Sequence, residues 1–200
     1  TDPTIELRLT DHSKSTLKQS YLVATDECHH HTLLYALFRM KLIEGKTLVF
    51  VDEEETTYRL QHFLEQMSIP CVVYDAQLPM STRLDMLRRF ASGEVNTLIC
   101  TDGTLERAQS AQFDVSEEDK ESGLHRGIDF TKIRNVIIFD GIDQPTTLNF
   151  ANYTHRAGRT GRAGNPGQSI LFLTVAQAQR VNAPLREYVK GRGERCRAFR

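Results

Sequence analysis

The 200-residue chain has no tryptophan, no Cys-x-x-Cys pair and no apolar run near the about 18 residues that a membrane span needs. Each absence removes a class of function. Its four cysteines, Cys28, Cys71, Cys100 and Cys196, are far apart, and two fall inside apolar strand-like runs, so buried thiols are expected rather than disulfides or zinc ligands. Residues 1–10 are mixed and polar without the pattern of a signal peptide, which predicts an intracellular protein with no membrane partner. They also begin without an initiator Met, which suggests a fragment of a longer protein. A complete phosphate loop is missing too. Gly45-Lys46-Thr47 looks like the end of one, but Met40 stands where the first glycine belongs and Lys46 leads into a strand rather than a helix, so Gly45 is expected to cap a helix.

A net charge of -1 gives little attraction for a polyanion, but the average hides an asymmetry. Residues 103–125 hold six acids against two bases, while residues 180–200 hold seven bases against two acids. A locally basic face can therefore coexist with a mildly acidic whole. The acidic segment has few large apolar side chains to offset the entropy of ordering, so it is expected to be a mobile loop.

What is present is an alternation of strand-like and helix-like stretches. Strand candidates at 21–23, 47–51, 71–74, 97–100, 136–140 and 169–173 are apolar without alternation, and helical stripes such as Leu60, Phe63, Leu64 and Met67 fall between them. This pattern predicts an α/β fold: a doubly wound parallel sheet with helices on both faces. His29, His30 and His31 lie at the start of a predicted helix over 29–43; adjacent helix positions point about 100° apart, so helix-terminal surface residues are expected rather than a metal site. The domain is placed at 21–175, with a linker at 1–20 and a basic extension at 176–200.

The densest chemistry lies at 155–162, where His155-Arg156-Ala157-Gly158-Arg159-Thr160-Gly161-Arg162 packs three arginines and two glycines into eight residues. Guanidinium groups keep their charge and present a planar fork of donors, which suits phosphate or carboxylate oxygens. Flanked by strand candidates at 136–140 and 169–173, the cluster falls on a strand–helix–strand unit at the edge where open parallel sheets bind ligands.

Together with Thr101-Asp102, Arg126-Gly127-Ile128-Asp129, Leu48-Val49-Phe50-Val51 and Arg83, the octet resembles the second RecA-like lobe of a DEAD-box RNA helicase, over about residues 21–174. The octet resembles that family's motif VI, Thr-Asp with Arg-Gly-Ile-Asp its motif V, the strand its motif IV, and Arg83 the arginine of its Gln-x-x-Arg. The resemblance implies that Arg159 and Arg162 are arginine fingers reaching the γ-phosphate of ATP, which with Mg2+ is held mainly by the N-terminal RecA-like lobe. It implies that Asp129, near Gly127, contacts the ribose, and that His155 and Arg156 join the two lobes. It further implies that Arg83 and Thr101, with backbone amides near Ala76 and Gly127, hold a single RNA strand without regard to sequence. Met80 replaces the family's glutamine, Asp75 its histidine, and the 23-residue acidic segment splits motif V. That break resembles the nucleolar helicases of large ribosomal subunit assembly, which implies pre-ribosomal proteins as partners and a nucleolar location, with the cytoplasm as alternative. Two other readings stay open at this point: a non-catalytic RNA-binding or interaction module, and a lobe of a superfamily 2 DNA helicase.

Overall fold

Thr47–Phe50, Thr97–Cys100 and Asn135–Ile138 bury every residue, which only a strand covered on both faces can do. A computed structural model of the chain describes residues 16–75, 77–105, 132–140, 150–191 and 196–198. Among these the element order is β1 (Leu17–Ala24), α1 (Cys28–Arg39), β2 (Thr47–Phe50), α2 (Glu54–Gln66), β3 (Val72–Val73), α3 (Met80–Ser92), β4 (Thr97–Cys100), β5 (Asn135–Ile138), α4 (Phe150–Ala157), β6 (Gly167–Thr174), α5 (Val175–Gly191) and β7 (Cys196–Ala198). The strands form one sheet in the order β3-β4-β2-β5-β6-β1-β7, with every pairing parallel.

Successive residues of a strand point to opposite faces, and two separate cores result. On one face Leu48, Phe50, Leu98, Cys100, Val136 and Ile138 pack with Leu87 and Phe90 of α3, Tyr153 of α4 and Val181 and Leu185 of α5. On the other, Val49, Ile99, Ile137, Ile170 and Phe172 pack with Leu34 and Leu37 of α1 and Leu60 and Leu64 of α2. The expected doubly wound parallel sheet is therefore the observed fold.

Several boundaries differ from expectation. β1 starts at Leu17 and pairs along its whole length with β6, because Gln19 and Ser20, though polar, are buried and Gln19 accepts a hydrogen bond from the Tyr153 hydroxyl at 2.6 Å. The stretch read as a basic extension supplies α5 to the core and β7 to the edge beside β1, with Tyr188 stacked on Phe150 at 4.4 Å between ring centroids. Gly45 does not cap α1: the helix ends at Arg39, Lys41 takes the left-handed turn at φ 54°, and Gly45 turns again at φ 82° on the way into β2. Of the three histidines only His29 is a surface residue, hydrogen-bonded to Asp26; the 100° step turns His30 into the core between Phe139 and Phe172, and His31 against Phe63. Burial holds the His30 imidazole below its ordinary pKa. Cys71 and Cys100 are buried as expected, and burial pushes the Cys71 thiol up to about 12. Most of the acidic segment lies outside the described residues, but its first residues do not behave as a loose loop: Thr104 and Leu105 are buried in a helical turn over 102–105. No helix among the described residues is long and apolar enough to cross a membrane.

Candidate functional site

The C-terminal edge of the sheet carries a regular feature. β2, β3, β4 and β5 are each followed, two residues past their last, by an aspartate: Asp52, Asp75, Asp102 and Asp140. Four carboxylates at one edge would repel one another without a cation among them. Arg156 of α4, only 3% exposed, supplies it for three of the strands. Its Nη2 donates to Asp52 Oδ1 at 2.8 Å, its Nε to Asp102 Oδ2 at 2.7 Å and its Nη1 to the Asp140 carbonyl at 3.0 Å. The guanidinium also lies over the Phe50 ring, 5.6 Å from its centroid. The Asp140 carboxylate accepts the Asp52 backbone N–H at 2.6 Å, and burial pushes its pKa up to about 7. The fourth aspartate, Asp75, is held from the other side: it accepts the Tyr58 hydroxyl at 2.5 Å and the Gln77 N–H at 2.7 Å. Burial and that bond push the Tyr58 hydroxyl up to about 12.

Arg156 is thus turned inward and spent on its own lobe, whereas the resemblance implies that it reaches across to another. The physical reason lies in α4, whose buried side chains Tyr153, Arg156 and Ala157 recur at i, i+3 and i+4. His155, on the opposite side of the turn, is exposed.

Beyond α4 the chain turns sharply. Gly158 fits because a Cβ there would come within 2.9 Å of the Thr154 carbonyl, and Gly161 because its φ is +70° and a Cβ would press on Leu17 at 3.0 Å. Thr160 locks the turn from inside, its buried hydroxyl donating to the Ile133 carbonyl at 2.6 Å. Arg159 is buried with its guanidinium against the His155 imidazole, while Arg162 is exposed and, among the described residues, donates only its Nε, to the Gly158 carbonyl at 2.7 Å. The turn therefore presents one arginine outward on a rigid support.

The other implied residues are distributed as follows. Thr101 directly follows β4 on the same edge, 8% exposed, with its hydroxyl bonded to Thr104 Oγ1 at 3.2 Å. Arg83 is half-buried on the first turn of α3, and the side chain that meets it is Met80, whose sulfur lies 3.7 Å away. A thioether is a weak acceptor, and among the described residues no carboxylate pairs with Arg83. Asp129, Gly127 and Ala76 lie outside the described residues. Sequence reasoning missed Asp52 and Asp140 as partners of Arg156, because the strand candidates 47–51 and 136–140 overran the observed ends at Phe50 and Ile138 and hid the common offset.

The helicase conserved C-terminal domain model matches residues 29–164. The chain is 35% identical over 161 residues to the ATP-dependent RNA helicase DBP9 of Yarrowia lipolytica, covering 78% of this chain and 29% of that protein. To the protein of the same name in Phaeosphaeria nodorum it is 37% identical over 183 residues, covering 86% of this chain and 30% of the relative. The chain thus spans about 30% of the length of these curated relatives. In structure it is similar to the C-terminal domain of the DEAD-box protein Dbp5, with a TM-score of 0.65 at 22% identity over 88% of this chain and 87% of that one. It is also similar to S. cerevisiae Dbp5 bound to RNA and ADP BeF3, with a TM-score of 0.67 at 23% identity over 87% of this chain and 39% of that one. With the arginine turn, the Thr101-Asp102 strand end and the parallel sheet all in place, the chain belongs to the helicase conserved C-terminal domain family, and its fold is that of a DEAD-box protein's C-terminal domain.

Proposed function

We propose that this chain is the second motor lobe of an ATP-dependent RNA helicase, and that Arg162 and Arg159 serve as its arginine fingers toward ATP. The observation that carries this reading is the turn after α4, which exposes the Arg162 guanidinium on a support locked by Thr160 and Gly161. Charge on a transferring phosphoryl group must be met by fixed cations, and one such arginine is worth about 10³ to 10⁵ in rate. The nucleotide with its Mg2+ would supply the γ-phosphoryl group and would be held mainly by the N-terminal lobe. On this chain's side, Asp52 and Asp102 are engaged with Arg156. Asp129, beside Gly127, would contact the ribose.

Arg83 and Thr101, with the backbone near Ala76, would hold phosphates of a single RNA strand, giving sequence-independent and salt-sensitive binding. His155, exposed at the end of α4, would face the N-terminal lobe. The relatives' name supports RNA helicase activity for the longer protein, and the interrupted motif V supports a place in ribosome biogenesis, with pre-ribosomal RNA as substrate, pre-ribosomal proteins as partners and the nucleolus as location. The test is RNA-stimulated ATP turnover by the two-lobed protein carrying this chain. Arg162→Ala is expected to reduce it at least a hundredfold; turnover like the parent's would remove the finger role.

A further inference from the structure

At the N-terminal edge of the sheet, the end opposite the arginine turn, the starts of β1, β5 and β6 and the loop between α1 and β2 surround a cavity of about 370 Å³. That size suits a small ligand, for which pockets run about 300–1,000 Å³. Its floor is polar and fixed. Gln168 Nε2 donates to Asn135 Oδ1 at 3.0 Å, and Asn135 Nδ2 donates to the Glu44 carbonyl at 2.9 Å and to Thr47 Oγ1 at 3.0 Å.

The cavity is lined by Lys18, Lys41 and Arg134, with Glu44 the one acid among the lining residues. The three cations come from three different parts of the fold: β1, the turn after α1, and the entry to β5. All three are exposed, and among the described residues none is in a salt bridge. Two backbone features support the arrangement. Lys41 has φ 54°, a left-handed conformation that glycine adopts freely and lysine does not, so this cation sits on a fixed turn where glycine would be less strained. Gly45 leaves room for the Arg134 side chain, whose Cδ would lie 3.0 Å from a Cβ at that position.

We propose that this cavity is an anion site for a small ligand bearing more than one phosphate charge, separate from the ATP and RNA contacts at the other edge. Three cations around one open pocket of limited volume, rather than strung along a track, favour a compact anion over a nucleic-acid strand. Glu44 sharpens the choice. A carboxylate can only accept hydrogen bonds, so it repels bare anionic oxygen and favours a ligand with a hydroxyl beside its phosphates.

The test is calorimetric titration of the 200-residue chain with inorganic pyrophosphate, with sulfate as control. Saturable binding at one site is expected, weakened about tenfold by either Arg134→Ala or Lys41→Gly, since a hydrogen bond to a charged group is of that worth. Lys41→Gly also suits the left-handed backbone, so its melting temperature should hold or rise while affinity falls, which separates loss of binding from loss of fold. Glu44→Gln should tighten binding, and Arg83→Ala and Arg162→Ala should leave it unchanged. The proposal is overturned if pyrophosphate shows no saturable binding, if sulfate binds equally well, or if affinity follows Arg83 and Arg162 instead of Lys41 and Arg134.

Discussion

Arg156 and Arg162 stand six residues apart in one glycine-rich stretch, yet the fold treats them in opposite ways. Arg156 is buried and joined to groups beyond three adjacent strands, while Arg162 is exposed with one hydrogen bond to its own turn. The same side chain is structural in one place and available in the other, and the difference is set by helical phase and by where α4 stops. An arginine motif is therefore not a set of equivalent ligands. The inward residue ties α4 to the strand ends, and the outward one stands on the turn that follows.

The strongest way to break this contrast is to remove the inward member. Arg156→Ala leaves Asp102 and Asp140 crowded at the strand ends without their cation, and breaking a buried pair from one side costs about 3–5 kcal/mol. Because Asp52 is about half exposed, the lower end of that range is expected, read as a lower denaturation midpoint of the isolated chain. Arg156→Lys should recover only part, since an ammonium cannot span the Asp52 and Asp102 carboxylates and the Asp140 carbonyl in one plane. A midpoint for Arg156→Ala equal to the parent's would show that the clamp does not hold the edge together.

The turn between the two arginines gives the next effect. Gly161→Ala forces a side chain onto a left-handed backbone and against Leu17, at a cost of about 1–2 kcal/mol. Gly164 also has a positive φ, 79°, but open space around it, so Gly164→Ala bears the conformational cost alone and should cost less. Equal denaturation midpoints for the two variants would show that contact with Leu17 carries no weight.

How much of this was legible beforehand depends on distance along the chain. β2, β4 and β5 were readable because, after a polar first residue, strands buried on both faces are apolar without alternation. The start of β1 was not, because Lys18, Gln19 and Ser20 look like linker until β6 and Tyr153 supply partners about 130 to 150 positions away. The helix α5 was hidden by Pro184 in its interior and by the basic composition around it. At the site, the octet announced itself by composition, but its inside and outside did not: the clamp on Arg156 comes from aspartates up to 104 positions distant. The aspartate two residues past the observed ends of β2, β3, β4 and β5 is the local trace of that long-range arrangement.

Acidity should sharpen the contrast, because the cluster around Arg156 contains Asp140, whose carboxyl burial pushes up to about 7. Asp140 has its folded-state pKa raised from the ordinary 3.8 to about 7, so the folded chain holds a proton there after the unfolded chain has lost it. Its contribution to stability is therefore fully present below the unfolded value and is lost as pH rises through about 7. His30 works in the opposite sense: its pKa is lowered by burial, so its contribution is present above the ordinary 6.5 and is lost as pH falls. Asp140→Asn can still accept the Asp52 N–H but cannot ionise, so the melting temperature of this variant relative to the parent should climb from pH 4 to pH 8. A difference that stays flat with pH would place the Asp140 carboxyl back in its ordinary range.

The smallest expected effect on the fold is at Arg162, and it should coincide with the largest effect on activity. Arg162→Ala removes an exposed side chain with a single local bond, so the melt of the isolated chain should shift by less than about 0.5 kcal/mol. If Arg162 meets the γ-phosphate once two lobes close around ATP and RNA, the same change should abolish RNA-stimulated turnover in the longer protein, because its contribution is made only in the closed state. Arg162→Lys should rescue poorly, since an ammonium lacks the planar fork that can bridge two phosphate oxygens. Turnover with saturating RNA and a thermal melt, measured on the same two variants, give the two axes of the comparison. If Arg162→Ala hydrolysed ATP within about threefold of the parent, less than about 1 kcal/mol of barrier would be at stake. The exposed arginine would then be a surface residue, and the finger role would have to rest on the buried Arg159 alone.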